Sequence, residues 1–165
     1  MEIGNTITDS PLGRVLVAAT RRGVCAVSLG EADAVLAAEL VAEYPHAEIH
    51  RDDGGFADWV KALQGHLQGL QPRLNLPVDV QATAFQRRVW KELQRIPYGQ
   101  TRTYTQVAKA IGQPRAVRAV ARACATNPVS IVVPCHRVIR EDGSLAGYRW
   151  GVERKKALLE GERAR

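Results

Sequence analysis

The first third of the chain alternates short apolar runs with turn residues, a pattern typical of neighbouring β-strands. The apolar runs predict strands at residues 3–9, 15–17 and 24–29. Ser10–Gly13 contains the proline and glycine of a tight turn, and residues 20–23 form a second turn. Connections as short as these predict a small antiparallel sheet.

Apolar positions at helical spacing follow the predicted sheet. They predict one helix over residues 33–44, ended by Pro45, and another over residues 56–70. The apolar face of the second helix consists of Phe56, Val60, Leu63, Leu67 and Leu70. Sheet and helices together predict an α/β fold for this part of the chain.

A proline-containing stretch separates this part from the remainder. Gln71–Pro77 contains two prolines and is a candidate linker, and a short strand is predicted at residues 78–80. We therefore expect an α/β supporting domain over residues 1–78 and a second domain over residues 79–165.

The second domain is predicted to be mostly helical. Two capping boxes begin its first helices, one formed by Thr83 with Gln86 and the other by Thr103 with Gln106. The predicted helices cover approximately residues 84–96, 104–111, 115–125 and 152–163.

The helix predicted over residues 115–125 is strongly amphipathic. Its apolar face consists of Val117, Val120, Ala121 and Cys124. Its opposite face carries Arg115, Arg118 and Arg122, with the small Ala119 among them. With the short helix and the glycine turn before it, this helix forms a predicted helix-turn-helix. A solvated charged face is the alternative, but three arginines without acidic neighbours favour contact with DNA.

Charge is unevenly distributed along the chain. Residues 1–83 contain 6 basic and 11 acidic side chains, whereas residues 84–165 contain 17 and 6. The positive excess lies in the half that holds the predicted helix-turn-helix. This asymmetry indicates a polyanionic partner, with nucleic acid as the first candidate, and a merely soluble basic domain is the alternative.

One segment joins an apolar run to reactive side chains. Residues 131–133 are β-branched and apolar, and Pro134 ends any regular element there. Cys135 and His136 follow directly, and Arg137 comes next. Cysteine in an apolar run is usually an inert packing residue, but cationic neighbours favour the thiolate, which is the nucleophilic form. From this segment alone, both interpretations remain open.

The cysteine and histidine spacing argues against metal binding and disulfides. The chain has three cysteines, Cys25, Cys124 and Cys135, without a C-x-x-C pair. Outside the Cys-His pair, His46, His50 and His66 lack metal-ligand spacing. We expect no metal, no cofactor and a reducing, cytoplasmic location. No apolar run approaches the length of a membrane span, so we expect no membrane partner.

Several motifs together resemble the O6-alkylguanine-DNA alkyltransferase family. They are Pro134-Cys135-His136-Arg137-Val138, Asn127-Pro128, Arg115-Ala116-Val117-Arg118-Ala119-Val120, Ile96-Pro97-Tyr98-Gly99 and Gly147-Tyr148-Arg149-Trp150-Gly151. The last motif is most similar to the C-terminal alkyltransferase domain of Ada proteins. The resemblance covers nearly the whole chain.

The resemblance implies a fold and a reaction. The fold would be a ribonuclease H-like N-terminal α/β domain and a mostly α C-terminal domain with a winged helix-turn-helix. The protein would bind double-stranded DNA containing alkylated bases as a monomer, through the minor groove. It would flip O6-methylguanine, or O4-methylthymine, out of the stack and transfer the alkyl group irreversibly to Cys135. Each molecule would react once.

The resemblance also assigns catalytic roles to individual residues. Cys135 would be the nucleophile and His136 the general base, acting through a water. Glu162 would orient the histidine, with Glu160 as the alternative. Asn127 would support the turn before the nucleophile.

Further residues would hold the DNA and form the substrate pocket. Tyr104 would donate a hydrogen bond to the flipped base, and Arg118 would fill the gap in the stack. Other DNA contacts would come from Arg115, Ala119 and Arg122, and the small Ala119 and Ala123 would allow a close approach to the groove. The pocket walls would be Val138, Ser144, Leu145, Tyr148, Arg149 and the bulky Trp150.

Two other classes of protein remain to be distinguished. A non-catalytic DNA-binding module would use the helix-turn-helix without reacting, but such relatives lack the cysteine that this chain has at position 135. A cysteine hydrolase would need an oxyanion hole, and a redox enzyme would need a resolving cysteine. The sequence around Cys135 indicates neither feature.

Overall fold

The computed structural model describes residues 1–164, which divide into two units by their internal contacts. The first unit comprises Met1–Val80 together with Pro128–Val132. The second comprises Gln81–Asn127 and the chain from Val133 onward. The polypeptide therefore leaves the second unit after Asn127 and returns to it just before Cys135.

A sheet with helices forms the first unit. Its elements are β1 (Glu2–Ser10), β2 (Gly13–Ala19), β3 (Val24–Gly30), α1 (Asp33–Glu43), β4 (Glu48–Arg51) and α2 (Ala57–Leu67). The strand order is β3-β2-β1-β4. Strands β1, β2 and β3 pair antiparallel as predicted, whereas β4 pairs parallel with β1. The sheet is therefore mixed, because a strand that the sequence analysis did not predict joins its edge.

Alternate residues of β1 and β2 build a core with helix α1. Ile3, Ile7 and Leu16 are buried and pack with Leu36 and Leu40 of the helix. This arrangement follows from the two-residue period of the strands and the four-residue spacing on the helix. The core fixes α1 on one face of the sheet.

Helix α2 is shorter than predicted. It ends at Leu67, and Leu70 is 77% exposed rather than part of the apolar face. Gly69 has a φ of 76°, a left-handed conformation that ends helices, and the amide of Leu70 donates to the carbonyl of Gly65. The predicted strand at residues 78–80 is reduced to a single bridge between Val78 and Val24.

Helices dominate the second unit. Its elements are α3 (Ala84–Leu93), β5 (Arg102–Thr103), α4 (Tyr104–Ala110), α5 (Val117–Ala125), β6 (Val138–Ile139) and α6 (Val152–Arg163). A 3₁₀ turn, Cys135–Arg137, precedes β6. Strands β5 and β6 form a short parallel pair. No helix within residues 1–164 is long and apolar enough to cross a membrane.

Both predicted capping boxes are present, at Thr83 with Gln86 and at Thr103 with Gln106. The first box has a further bond: Nε2 of Gln86 donates to Oγ1 of Thr126, at 3.0 Å. Thr126 directly follows α5. The amide of Gln86 thus joins the beginning of α3 to the end of α5.

The predicted helix-turn-helix is formed by α4 and α5, which pack on each other and on α3. Gly112 in the turn has a φ of 77°, which favours glycine. Helix α5 begins at Val117 instead of Arg115, since the amide of Ala116 bonds to the carbonyl of Gln113 in the turn. Arg115 therefore lies just before the helix.

One residue that we expected on the DNA-facing surface is buried. Ala123 is only 3% exposed, because it lies on the side of α5 that packs on α3. Its carbonyl accepts a 2.8 Å hydrogen bond from the indole nitrogen of Trp90. Ala119 is partly exposed and remains available for a close approach to a partner.

Candidate active site

Cys135 lies where a buried segment turns into β6. Its side chain is 4% exposed, and its amide donates to the carbonyl of Val133 at 2.8 Å. The 3₁₀ turn begins at this residue, since Pro134 before it cannot continue an extended ladder. The thiol is therefore held by a short, tightly bonded turn instead of a flexible loop.

Asn127 supports this turn from the end of α5. Its side chain is fully buried, and Nδ2 donates to the carbonyl of Val133 at 2.8 Å. The same nitrogen lies 3.3 Å from Sγ of Cys135. One amide group therefore fixes both the backbone before the nucleophile and the nucleophile itself.

The ionisation of the thiol is set by opposing effects. Burial raises the pKa of Cys135, because a thiolate is poorly solvated inside the protein. The hydrogen bond from Asn127 and the positive charges of Lys155 and Arg149 act in the opposite direction. Burial is the largest effect, so the resting group is a thiol.

His136 and Arg137 do not act on the thiol in the way that their adjacency to Cys135 led us to expect. Nε2 of His136 lies 3.1 Å from Oε1 of Glu162. Nε of Arg137 donates to Oε1 and Oε2 of the same carboxylate at 2.9 and 3.2 Å, and its Nη1 donates to the carbonyl of Ile96. Both side chains therefore bond to a glutamate, and the pKa of the Cys135 thiol is instead lowered by other groups, among them Asn127, Lys155 and Arg149.

Glu162 stays charged inside the protein because of these bonds. Burial raises the pKa of its carboxyl, but the hydrogen bonds from His136 and Arg137 outweigh burial and bring the pKa to about 2. Burial lowers the pKa of His136 and keeps the imidazole neutral. Nδ1 of this histidine has no hydrogen-bond partner among the described residues. The neutral ring thus has Nε2 engaged by a carboxylate and Nδ1 left as an acceptor.

Helix α6 contributes a buried lysine next to the site. Lys155 is fully buried, and its Nζ donates to the carbonyls of Val138 at 2.7 Å and Gly147 at 3.3 Å. Burial lowers the pKa of this amine. The lysine joins strand β6 to the loop that follows it.

A cavity of about 550 Å³ opens onto the thiol. Cys135 lines it together with Tyr104, Arg118, Tyr148 and Arg149. Its volume lies within the range of roughly 300–1,000 Å³ that is usual for small-molecule sites. Burial raises the pKa of the Tyr104 phenol to about 12, so this group is a hydrogen-bond donor at neutral pH. The cavity thus places a nucleophile and a neutral donor against the same space.

The arginines of the helix-turn-helix lie next to this cavity. Arg115, Arg118 and Arg122 are all exposed, and Arg118 lines the cavity as well. A positively charged surface therefore reaches the entrance of the site from α5.

Comparison with known proteins decides the family. Residues 3–80 match the ribonuclease-like domain of 6-O-methylguanine DNA methyltransferase, and residues 84–164 match its DNA-binding domain. The chain belongs to the 6-O-methylguanine DNA methyltransferase family. The prediction of an α/β ribonuclease-like unit and a helical DNA-binding unit is confirmed.

Relatives match along most of the chain. The bifunctional transcriptional activator/DNA repair enzyme Ada of Escherichia coli is 49% identical over 94% of this chain, which spans 44% of that relative's length. A methylated-DNA–protein-cysteine methyltransferase of Mycobacterium leprae is 39% identical, over 94% of this chain and 89% of the relative. The crystal structure of the Mycobacterium tuberculosis enzyme in complex with DNA has a TM-score of 0.84 and 36% identity, covering 99% of this chain and 94% of that one.

Four predicted wall residues of this methyltransferase-family site do not line the cavity: Val138, Ser144, Leu145 and Trp150. Val138 is fully buried in β6, and Ser144 is exposed in a turn where its amide donates to Asp142. Trp150 is 6% exposed and packs edge-on against Tyr148, with 5.2 Å between ring centroids. Trp150 therefore packs against the wall residue Tyr148 and does not line the cavity itself.

Of the two candidate glutamates, Glu162 contacts His136, whereas Glu160 is exposed on the same helix. Lys155 was missed by the sequence analysis. A signal for it exists: Lys155, Leu158, Leu159 and Glu162 follow the i, i+3, i+4, i+7 spacing of one helix face. A lysine at the first of these positions faces the interior. Among residues 1–164, no three His, Cys, Asp or Glu side chains are grouped to hold a metal ion.

Proposed function

We propose that this chain repairs DNA directly, by irreversible transfer of the methyl group of O6-methylguanine to Sγ of Cys135. The observation that carries the proposal is the shared cavity: a buried thiol, the Tyr104 hydroxyl and Arg118 of the helix-turn-helix all line it. The names of its relatives agree, since one is a DNA repair enzyme and another is a methylated-DNA–protein-cysteine methyltransferase. O4-methylthymine is the proposed second substrate.

Recognition of the lesion begins at α5. Arg115 and Arg122 contact phosphates of double-stranded DNA, and the small Ala119 allows α5 to approach the groove closely. The target nucleotide rotates out of the stack into the cavity, and the Arg118 side chain fills the gap. Unstacking costs a few kcal/mol, and a filler offsets part of that cost. We expect the chain to act on DNA as a monomer, in the cytoplasm.

The chemistry is a displacement at the methyl carbon. The Cys135 thiol gives its proton to Nδ1 of His136 through a water, which is the acceptor role that the unpaired Nδ1 supports. The thiolate attacks the methyl carbon, a carbon–sulfur bond forms, and the bond between that carbon and O6 breaks. The electron pair of the broken bond stays on guanine, which then receives a proton from solvent or from His136.

Neighbouring groups stabilise the charges that develop. Tyr104 donates a hydrogen bond to a ring nitrogen of guanine and makes the base a better leaving group. Glu162 stabilises the imidazolium that forms at His136, and Arg137 keeps that carboxylate in place. The thioether at Cys135 has no route back to a thiol, so each molecule reacts once.

The deciding experiment follows a labelled methyl group. Duplex DNA with O6-[³H-methyl]guanine is incubated with the protein, and the labelled peptide is identified by mass spectrometry. We expect one label per molecule, on Cys135, and none in Cys135→Ala. Cys124→Ala is the matched control, because Cys124 lines the same cavity and its variant should still accept the label.

Other outcomes would identify another class of protein. Binding of the lesion without transfer would indicate a non-catalytic recognition module. Repeated turnover, or label on another residue, would indicate different chemistry. Either result would overturn the proposed function.

A further inference from the structure

Two exposed arginines line the cavity outside the helix-turn-helix. Arg140 directly follows strand β6, and Arg149 lies in the loop before α6. Arg149 is held in place, since its Nη1 donates to the carbonyl of Asn127 at 3.2 Å and its guanidinium lies 5.3 Å from the ring centre of Trp150. The cavity thus carries positive charge in addition to that of Arg118.

We infer that Arg140 and Arg149 bind the phosphodiester groups on either side of the flipped nucleotide, on its own strand. The inference rests on the proposed function and adds a phosphate subsite to it. Guanidinium groups suit this ligand, because their planar set of donors matches two phosphate oxygens at once.

The size of the cavity supports a ligand of this kind. A space of about 550 Å³ accommodates a base, while the phosphates of the same nucleotide remain at the entrance. Arg140 and Arg149 line the cavity and are exposed, so both guanidinium groups are accessible to a phosphate of a nucleotide bound there. Within residues 1–164, Arg140 forms no ion pair; the nearby carboxylate of Asp142 accepts a hydrogen bond from the amide of Ser144.

The two arginines also have an electrostatic effect on the reacting groups, which is distinct from phosphate binding. The charge of Arg149 lowers the pKa of Cys135, and the charge of Arg140 lowers that of Tyr104. Both charges are therefore close enough to affect the reacting groups, and they could act on the thiol alone. A substrate without phosphate distinguishes the two roles.

The test compares Arg140→Gln and Arg149→Gln with the parent chain on three substrates. These are the free base O6-methylguanine, a single-stranded trinucleotide with a central O6-methylguanine, and the same trinucleotide with neutral methylphosphonate linkages. Arg22→Gln is the control, because Arg22 is an exposed arginine of the first unit. A single-stranded substrate carries no phosphates of an opposite strand.

We expect each variant to slow transfer from the phosphodiester trinucleotide by about tenfold, the effect of losing one charged hydrogen bond. Transfer from the free base and from the neutral trinucleotide should fall much less, because any loss there reflects only the effect of each charge on the Cys135 thiol or the Tyr104 phenol. An Arg149→Lys variant should fall between parent and Arg149→Gln, since it keeps the charge and loses the planar donors.

Two results would overturn the inference. An equal loss on all three substrates would show that the arginines act on the thiol or on the fold of the site. Unchanged rates on all three would show that they bind no phosphate. If the parent transfers no methyl group from duplex DNA with O6-methylguanine either, the proposed function fails, which is a separate outcome.

Discussion

The side-chain nitrogen of Asn127 lies 3.3 Å from the sulfur of Cys135 while it also donates to the carbonyl of Val133. Removal of this amide in Asn127→Ala leaves the Val133 carbonyl with only the Cys135 amide as donor, and the lost hydrogen bond costs about 0.5–1.5 kcal/mol of unfolding free energy. It also removes a bond that favours the thiolate, so the pKa of Cys135 should rise further. Urea unfolding measures the first effect, and the pH dependence of iodoacetamide alkylation measures the second.

Asn5→Ala is a suitable control for this experiment. Asn5 is also buried, and its Nδ2 donates to the carbonyl of His50 in the first unit. This variant should lose comparable stability and leave the thiol pKa unchanged. A thiol pKa that is the same in Asn127→Ala and in the parent would disprove the electrostatic role of Asn127.

Methyl transfer should become faster as the pH rises. Burial raises the pKa of Cys135 above its ordinary value of 9.0, so the thiolate fraction grows throughout the range from pH 6 to 9. His136→Ala should slow transfer at pH 7 by about 100-fold, the usual effect of losing a general base. Single-turnover rates measure this, and DNA affinity measured in parallel should not change.

The difference between parent and His136→Ala should narrow at high pH, where the thiolate forms without help from a base. Equal rates at pH 7 would remove the histidine from the mechanism. A parallel loss of DNA binding would show that the substitution disturbs the fold instead.

Acid should lower the free energy of unfolding, because Glu162 loses its charge. Its folded pKa of about 2 lies below its ordinary value of 4.5, so the unfolded chain binds more protons between these values. The stabilisation by Glu162 is therefore complete above pH 4.5 and is lost as the pH falls towards 2. Unfolding free energies of the parent and Glu162→Gln should differ most near pH 7 and converge in acid.

Glu160→Gln is the matched control for this measurement, because Glu160 lies on the same helix with its side chain exposed. Its stability should follow that of the parent at every pH. A constant difference between the parent and Glu162→Gln from pH 7 to pH 3 would contradict the assigned pKa.

Arg118→Ala should affect paired and unpaired lesions differently. Only a duplex has a stacking gap for Arg118 to fill, so we expect transfer from duplex DNA to slow by about tenfold and transfer from a single strand to change little. Arg122→Ala should instead weaken binding to both, in a manner that depends on salt. Rates on matched single- and double-stranded oligonucleotides test this, and equal losses in Arg118→Ala would exclude the filling role.

Local patterns predicted most of the helices. The capping boxes and the apolar face of α5 lie within a few residues of each other, so they are visible in the sequence. Strand β4 was not predicted, because Ile49 is its only apolar residue and its pairing depends on β1, which lies far away in the chain. Leu70 was placed on a helix because periodicity alone does not show that Gly69 ends it.

The sequence predicted which residue types form the candidate site more reliably than it predicted which of their side chains contact each other. The adjacency of Cys135, His136 and Arg137 indicated a reactive group, but a 3₁₀ turn sends neighbouring side chains in different directions. Sequence adjacency therefore could not show that His136 and Arg137 both meet Glu162. The sequence likewise could not show that Tyr148 lines the cavity and that Trp150 packs against it, because no local pattern determines the direction of each aromatic ring in this loop.

The amide of Gln86 has a consequence for substitutions that are normally considered equivalent. In most capping boxes glutamate and glutamine are interchangeable, because only the side-chain oxygen is used. Here the nitrogen also donates to Thr126, the neighbour of Asn127. A glutamate would preserve the helix start and present an oxygen where Thr126 now receives a donor, since the threonine hydroxyl is already directed at the carbonyls of Arg122 and Ala123. The cap at the start of α3 is thus bonded to the residue that precedes Asn127, and it should tolerate fewer substitutions than a capping box alone would.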